Sequence, residues 1–405
     1  MGGVSRNQQV RRRRVFYIPG YDPFHPRRYR ELYRKESAEQ ARVSGYKIGL
    51  TPKTSGGPYG WHVDAEIDGA AVEADVEVFV WSDIVRDSMS NTFLQTYWQL
   101  LSTAFIYIAT GALFRLMRLR KGPVIAALYP VGMLLLQLAL AAGVARGVAA
   151  VLMVLVPWWV AVPVALVPGW VVLRWFRARD GRFFAYYLMH DYAYSARWWG
   201  GNPPELEARM AEFGRAIREA AAAGEYDELL LVGHSSGAHL GISVLADLLR
   251  DGWHEDGPEL SFLSLGHVVP MVSFLPRADR LRADLRLMAS QDRIFWLDVT
   301  APGDGCAFAL CDPAAVTGVA KTGHRWPLII SAAFTQTLSP ARWKELRWRF
   351  FRLHFQYLCA FDQPGDYDYF RVTAGPQSLS RRFSGRAPSK SVIDRPVNRF
   401  RRVAE

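Results

Sequence analysis

The pattern of hydrophobic and polar positions changes twice along this chain. From about residue 14 to 92, short apolar runs alternate with polar stretches, and the same pattern returns from about 179 to 378. Between them, from about 93 to 178, most positions are apolar. Short buried strands and amphipathic helices produce the first pattern, and membrane-embedded helices produce the second. The pattern therefore predicts an α/β domain that a membrane insertion interrupts.

The region before the insertion contains few elements. The run 15–18 predicts a buried strand that ends in a Pro-Gly turn, and 26–43 predicts a helix. The alternating run 62–84, with its central Asp-Gly turn, predicts a hairpin that leads into a buried strand. These few strands cannot bury a core alone, so we expect them to complete a sheet formed with the region after the insertion.

The region after the insertion alternates regularly between helix and strand. Its pattern predicts helices at 204–223, 238–250 and 277–289, and strands at 226–233, 259–269, 293–301 and, as the last one, 347–353. Strands that alternate with helices form mostly parallel sheets with helices on both faces. This is the fold class that the sequence predicts.

The insertion resolves into three segments. Segments 123–145 and 147–173 are uncharged, and each is longer than the length of about 20 residues that a helix needs to cross a bilayer. They predict a transmembrane helical hairpin with its turn at Arg146. Because an interrupted domain requires an even number of crossings, the less apolar segment 97–118 is predicted to be an interfacial helix.

Charge supports membrane association and predicts an orientation. The formal net charge is +11, and basic clusters flank the hairpin on both sides. These clusters are Arg115, Arg118, Arg120 and Lys121 before it, and Arg174, Arg177, Arg179 and Arg182 after it. Such clusters stay on the cytoplasmic side, so we predict that both ends of the hairpin lie there, with a lipid bilayer rather than nucleic acid as the partner.

The termini and the cysteines add smaller expectations. Residues 1–13 are predicted to be a basic arm without a signal peptide, and residues 379–405 a basic, disordered tail. The domain parts are then 14–92 and 179–378, with the insertion at 93–178. The three cysteines have no metal-ligand spacing, and their odd number disfavours a disulfide framework. We predict no metal and no organic cofactor, and the oligomeric state stays open.

One motif within the predicted sheet indicates chemistry. In "LLLVGHSSGAHL", Gly233, Ser235 and Gly237 match G-x-S-x-G, between a predicted buried strand and a predicted helix. Small residues permit the sharp turn that exposes a serine at this junction, and the helix points its positive end at the serine. His234 occupies the variable position of this elbow. Alternatively, Ser235 is only a small residue in a tight turn.

On this motif and its context, the chain resembles the α/β-hydrolase fold superfamily, in particular bacterial serine esterases and lipase-like members with a GHSxG elbow. The resemblance covers about residues 14–90 and 183–375, and the membrane hairpin is an insertion that the general fold lacks. It implies a membrane-anchored hydrolase at the bacterial inner membrane, with its catalytic domain on the cytoplasmic face. It also implies catalytic groups in the order serine, acid, histidine.

The resemblance assigns roles to particular residues. Ser235 is the expected nucleophile. Asp304, in a turn just after a strand, is favoured as the acid over Asp298, which lies within the strand. His354 is favoured as the base, with His324 as the alternative.

The resemblance also implies an oxyanion hole. The backbone N–H of Ser236 is one expected donor, and the loop "IPGYDP" supplies the other from Tyr21 or Gly20. This loop lacks the His-Gly pattern common in lipases, so the identity of the second donor stays open.

The reaction implied is acyl transfer from an ester or thioester of an amphiphilic substrate to water through an acyl-serine intermediate. Two alternatives remain from the sequence. The domain is a non-catalytic, membrane-tethered binding or scaffold module, or the same triad serves a peptidase or an acyltransferase.

Overall fold

The central strand of the sheet joins two distant parts of the chain. In the computed structural model, which describes residues 9–54, 56–89, 92–253 and 257–404, this strand is β1 (Arg12–Ile18). It pairs in parallel with β4 (Ala70–Val78) on one side and with β5 (Glu228–His234) on the other. Val15 thereby lies between Val76 and Leu230. The prediction that both regions form one interrupted sheet is confirmed.

Eight strands form this sheet in the described part of the chain. The other five are β2 (Lys47–Pro52), β3 (Gly60–Ile67), β6 (Glu259–Leu265), β7 (Phe295–Thr300) and β8 (Leu328–Ser331). Their spatial order is β2-β3-β4-β1-β5-β6-β7-β8. Only β3 runs antiparallel to its neighbours, and the remaining pairs are parallel. The carboxyl ends of β1, β5, β6 and β7 therefore meet at one edge.

Helices cover this sheet and form the insertion. They are α1 (Arg27–Ser44), α2 (Ser82–Ser88), α3 (Phe93–Ala109), α4 (Ala112–Leu116), α5 (Lys121–Leu152), α6 (Trp158–Ala178), α7 (Asp180–Phe183), α8 (Ala185–Arg197), α9 (Pro204–Ala222), α10 (Gly237–Arg250), α11 (Val269–Ser273), α12 (Asp279–Ser290), α13 (Pro313–Thr317), α14 (Phe334–Thr337), α15 (Pro340–Leu346), α16 (Phe350–His354), α17 (Tyr369–Ala374) and α18 (Leu379–Arg382), with a 3₁₀ turn at Gln356–Leu358.

The side chains of each strand point alternately to the two faces of the sheet, and each face has its own hydrophobic core. Phe16 and Ile18 of β1 pack with residues of α9, α10 and α12 on one face of the sheet. Val15 and Tyr17 point to the other face and pack with residues of α1 and α17. Since successive side chains of a strand point to opposite faces, both faces are buried. The predicted mostly parallel sheet with helices on both faces is confirmed.

The last strand lies elsewhere than predicted. The run 347–353 contributes to the helix α16, and the last strand is β8, which has only four residues. Aromatic residues favoured the strand interpretation of 347–353, but this propensity is weak and depends on packing. A strand as short as β8 leaves too little periodicity in the sequence to be recognised.

Two helices of the insertion are long and apolar enough to cross a membrane. These are α5, with 32 residues, and α6, with 21 residues, whose most apolar 18-residue windows have mean hydropathies of 2.1 and 1.6. Only 28% of the window in α5 and 17% of the window in α6 is buried. The helices pack closely, because a Cβ atom at Gly169 would lie 2.9 Å from the Ala141 carbonyl oxygen.

The turn between these helices lies later than predicted. The prediction of a turn at Arg146 is wrong, since α5 continues through that residue to Leu152 and α6 begins at Trp158. A single arginine does not break a helix. Pro157 lies directly before α6, where a backbone N–H would make no hydrogen bond within the helix, so the missing N–H of proline is tolerated there.

The first segment of the insertion consists of two helices with an exposed apolar stripe. α3 and α4 are separated at Gly111, which has a φ of 69°. Five large apolar side chains of α3, spaced three or four residues apart, are at least 53% exposed: Leu94, Trp98, Leu101, Phe105 and Ile108. We call these five residues the α3 stripe.

The terminal regions differ from the prediction where the structure describes them, and residues 1–8 of the predicted arm lie outside the described residues. Arg13 belongs to β1 rather than to a free basic arm, and its buried guanidinium lies 2.6 Å from the Glu228 carboxylate. The prediction of a disordered tail is also wrong for residues 379–404. Asn398 is buried and donates to the Ser273 carbonyl at 3.0 Å, and Ile393 donates to Leu310 at 2.7 Å. Composition suggested disorder, but these backbone and side-chain hydrogen bonds fix the tail against the domain.

Candidate functional site

Ser235 occupies a strained turn between β5 and α10. Its φ is 56°, in the left-handed region that residues other than glycine rarely adopt. Its backbone N–H donates to the Leu265 carbonyl oxygen, at the end of β6, at 2.9 Å. The neighbouring strand thus helps to hold the serine in this conformation, at the carboxyl edge of the sheet.

Glycines allow the close approach of the backbones around this turn. A Cβ atom at Gly237 would lie 2.1 Å from the Ile18 carbonyl oxygen, and one at Gly233 would lie 2.6 Å from the Gly237 oxygen. Neither position has space for a side chain. A Cβ at Gly20 would lie 3.0 Å from the Ser235 Cβ, so the loop after β1 also lies directly against the serine.

A hydrogen-bonded histidine and aspartate lie at the same edge. His354 Nδ1 donates to Asp304 Oδ2 at 2.7 Å. Asp304 is in the loop after β7, and His354 is the last residue of α16. Because the carboxylate accepts from Nδ1, this contact orients the ring and favours the tautomer in which Nε2 is free to accept a proton.

The carboxylate of Asp304 is held in its ionised form. Burial favours the neutral acid, but His354, the Cys306 backbone N–H and the Tyr357 hydroxyl outweigh burial, so that the pKa of Asp304 is lowered. The Cys306 N–H donates at 2.8 Å and the Tyr357 hydroxyl at 3.0 Å. Hydrogen bonds to the charged form of a carboxyl lower its pKa in this way.

His234 and Gly266 position the catalytic histidine candidate. His234 Nε2 donates to the His354 carbonyl oxygen at 2.9 Å, and the two ring centroids are 4.7 Å apart. Burial lowers the pKa of His234 to about 3, so this ring is neutral. Gly266 has a φ of 52°, and a Cβ there would lie 3.1 Å from His354 Cε1. Sequence reasoning missed Gly266 and the contact of Tyr357 with Asp304, although Tyr357 follows His354 by only three residues.

One cavity of about 80 Å³ brings the predicted groups together. Its walls include Gly20, Tyr21, Ser235, Ser236 and His354. Among the described residues, the His354 ring is hydrogen-bonded to Asp304 and not to Ser235, so Ser235 and His354 share the cavity without a direct hydrogen bond. Such bonds often tighten only when a substrate is bound.

The loop after β1 presents a free backbone donor. Trp81 Nε1 donates to the Pro19 carbonyl at 3.0 Å, and the Tyr21 hydroxyl lies 2.6 Å from Ser88 Oγ. The Tyr21 carbonyl accepts a hydrogen bond from the Tyr187 hydroxyl. Across the described ranges, the backbone N–H groups of Gly20, Tyr21 and Ser236 donate to no protein acceptor. All three residues line the cavity, so Ser236 and either Gly20 or Tyr21 have a donor available to a ligand.

The alternative acid and base lie outside this cavity. Asp298 accepts from Ser264 Oγ at 2.6 Å within the sheet, and burial raises its pKa. His324 lies 2.7 Å from Asp312, a contact that raises the pKa of His324. The structure places neither residue against Ser235.

Three groups at the site also resemble a small metal-ligand set. Single ligand atoms of Asp304, Cys306 and His354 lie within 4.8 Å of one another. However, the carboxylate and the imidazole are hydrogen-bonded directly at 2.7 Å. Burial raises the pKa of Cys306, whereas a metal binds the thiolate. The arrangement therefore fits a carboxylate–histidine pair better than a metal centre.

Asp191 is a cavity residue that sequence reasoning missed. It lies on α8 and lines the cavity that contains Ser235, and its carboxylate accepts no hydrogen bond within the described ranges. Burial raises its pKa to about 7, partly opposed by His354. The only sequence signal is a carboxylate within the aromatic run "HDYAYSARWW", and without the fold nothing connects this run to Ser235.

The fold and the site together define an α/β protein with a strained serine beside a histidine–aspartate pair. Comparisons with protein-family models, curated proteins and solved structures found no match to this chain.

The raised pKa of Asp191 predicts a pH-dependent stability. The folded state holds a proton that the unfolded state loses between about pH 4 and 7, so stability falls as the pH rises through this window. We expect Asp191→Asn to remove up to about 1.4 kcal/mol per pH unit of this dependence. Unfolding in detergent from pH 5 to 8 measures it, with the exposed Asp292→Asn as the control. Equal slopes for wild type and Asp191→Asn would contradict the assignment.

Proposed function

We propose that this protein is a membrane-anchored serine hydrolase with an α/β-hydrolase-like fold. It cleaves carboxylic esters or thioesters through an acyl-enzyme. The observation that carries the proposal is the shared cavity, in which Ser235, on its strained turn, faces the same space as His354, whose Nδ1 donates to Asp304 at 2.7 Å.

The first half of the reaction acylates the serine. Nε2 of His354 takes the proton from Ser235 Oγ as the oxygen attacks the carbonyl carbon, and a tetrahedral oxyanion forms. The free N–H groups of Ser236 and Tyr21 donate to this oxyanion. The bond to the leaving alcohol or thiol then breaks, and the proton on His354 passes to that group.

The second half releases the acid. His354 takes a proton from water, whose oxygen attacks the acyl carbon and forms a second tetrahedral oxyanion. The bond to Ser235 Oγ breaks, and His354 returns the proton to the serine. Asp304 stays ionised and stabilises the imidazolium in both halves, in agreement with the hydrogen bonds that lower its pKa. Neither half requires a metal or an organic cofactor.

The order of the groups also supports the proposal. Ser235 follows β5, Asp304 follows β7 and His354 comes last, which is the chain order of the α/β-hydrolase fold. Placement at the carboxyl edge of a mostly parallel sheet is typical of ligand sites in such folds.

The substrate class follows from the anchoring. The helices α5 and α6 are long and apolar enough to place the domain at a bilayer surface, and the α3 stripe adds an exposed apolar face beside them. We propose an integral protein of a bacterial inner membrane, with both ends of the hairpin on the cytoplasmic side. An ester that reaches an active site at a bilayer surface has both apolar and polar parts, so we propose an amphiphilic ester as the substrate.

Two other functions remain alternatives. A non-catalytic scaffold needs no histidine beside the serine, yet His354 lines the same cavity. A peptidase or an acyltransferase uses the same three groups, and only a survey of substrates and acceptors separates it from an esterase.

Labelling with a fluorophosphonate tests the nucleophile and its base. We expect wild type to be labelled, Ser235→Ala to lose all labelling, and His354→Ala to lose at least about 99% of its rate, since general base catalysis contributes 10²–10⁴-fold. His324→Ala is the matched control and should label at the wild-type rate. The variants Asp304→Asn and Asp298→Asn compare the two acids in the same way.

Two outcomes would reverse parts of this proposal. Labelling that persists in Ser235→Ala removes the nucleophile assignment. Loss of labelling in His324→Ala, with normal labelling of His354→Ala, exchanges the two histidines. In each case, gel filtration of the variant in detergent verifies that the protein is folded.

The orientation predicts which parts react from each side of the membrane. A cysteine at Val154, which is 83% exposed in the turn between α5 and α6, should react with a membrane-impermeant maleimide in spheroplasts. A cysteine at Asp292, in the domain, should react only after permeabilisation. The opposite result for both variants contradicts the proposed orientation.

A further inference from the structure

A second cavity adjoins the cavity that contains Ser235. It has a volume of about 130 Å³ and lies between α3, α4, α5 and α8. Tyr192 and Met271 line both cavities, so the two spaces meet at these residues. We call this second space the insertion cavity, because most of its walls come from the membrane insertion.

The walls of the insertion cavity suit an apolar ligand. They include Ala104 of α3, Leu113 and Leu116 of α4, and Ala127 and Val131 of α5. The hydroxyl of Tyr107, at the same wall, already donates to the Met271 carbonyl at 2.9 Å. A cavity with such walls excludes water and accepts apolar molecules.

The outer end of the insertion cavity faces the region that a bilayer would cover. Ile108, from the α3 stripe, is 53% exposed, and Leu128, from α5, is 46% exposed. Both residues also line the insertion cavity. The cavity therefore reaches from the apolar surface of the insertion to the wall of the cavity that contains Ser235.

The volume limits what the cavity can enclose. A cavity of about 150 Å³ binds benzene, a molecule of six carbons. The insertion cavity, at about 130 Å³, is slightly smaller and so encloses about six carbons of a linear chain. Carbons beyond these would pass between Ile108 and Leu128 toward the bilayer.

We propose that the insertion cavity is the acyl-chain site of the enzyme, and that it receives the chain from the bilayer between α3 and α5. The substrate class is then an ester with a linear acyl chain of about six carbons or more, whose carbonyl carbon lies at Ser235. This inference rests on the proposed hydrolase function. It assigns a binding role to the insertion beyond that of an anchor.

Filling the insertion cavity tests the proposal. A phenyl ring introduced by Ala127→Phe occupies most of the insertion cavity of about 130 Å³, because one benzene molecule occupies a cavity of about 150 Å³. Each methylene group of the acyl chain that is buried in the cavity increases the preference for the longer ester about fourfold. We expect Ala127→Phe to lower kcat/KM for p-nitrophenyl hexanoate and octanoate by at least about tenfold, while p-nitrophenyl acetate is cleaved at the wild-type rate.

Two further variants complete the experiment. Ile125→Phe is the matched control, since Ile125 lies on the same helix, is 65% exposed and does not line the cavity. It should leave the preference for chain length unchanged. Leu113→Ala enlarges the cavity, and we expect it to raise the ratio of octanoate to hexanoate cleavage. This variant keeps the test decisive if Ala127→Phe does not fold.

The outcomes separate the acyl-chain site from the hydrolase function. If wild type cleaves these esters, and both Ala127→Phe and Leu113→Ala keep its preference for chain length, the acyl-chain site is wrong and the hydrolase function stands. If wild type cleaves none of the esters and is not labelled by the fluorophosphonate, the hydrolase function fails, and the acyl-chain site fails with it.

Discussion

The approach of α10 to the end of β1 is the constraint on which the site depends. A Cβ atom at Gly237 would lie 2.1 Å from the Ile18 carbonyl oxygen, so the helix begins where only a glycine fits. This contact requires the chain to turn sharply after β5, and Ser235 takes a left-handed conformation at that turn. The same contact brings the loop after β1 against the serine, because β1 and β5 are parallel neighbours. The strained serine and the free N–H of Tyr21 thus follow from one close packing of backbones.

The remaining groups depend on neighbouring strands. The end of β6 accepts the Ser235 N–H through Leu265, and the next residue, Gly266, leaves space for the His354 ring. The loop after β7 carries Asp304, which is bonded to that ring. The insertion and α8 then cover this edge, with Pro123 of α5 and Asp191 of α8 in the wall of the same cavity. The proposed membrane attachment and the proposed chemistry therefore involve the same side of the domain, and the insertion cavity lies there too.

The sequence predicted the features that local patterns encode. Alternating apolar runs predicted six of the eight strands, all but β2 and β8, and two uncharged runs predicted the pair of long apolar helices. It could not predict β8, which is too short for a periodicity, or the turn after α5, because a single arginine does not end a helix. Asp191 and Tyr357 were missed for another reason. Their positions beside Ser235 and Asp304 result from tertiary packing across long separations in the chain, which no local pattern records.

The most direct test of this account is an experimental structure of the protein after reaction with a phosphonate. The account predicts electron density continuous from Ser235 Oγ to the phosphorus atom. It also predicts a phosphoryl oxygen at about 2.7–3.1 Å from the backbone nitrogens of Ser236 and Tyr21, with His354 still bonded to Asp304. A phosphorus atom bonded to any other residue, or a phosphoryl oxygen directed away from both nitrogens, would contradict the account.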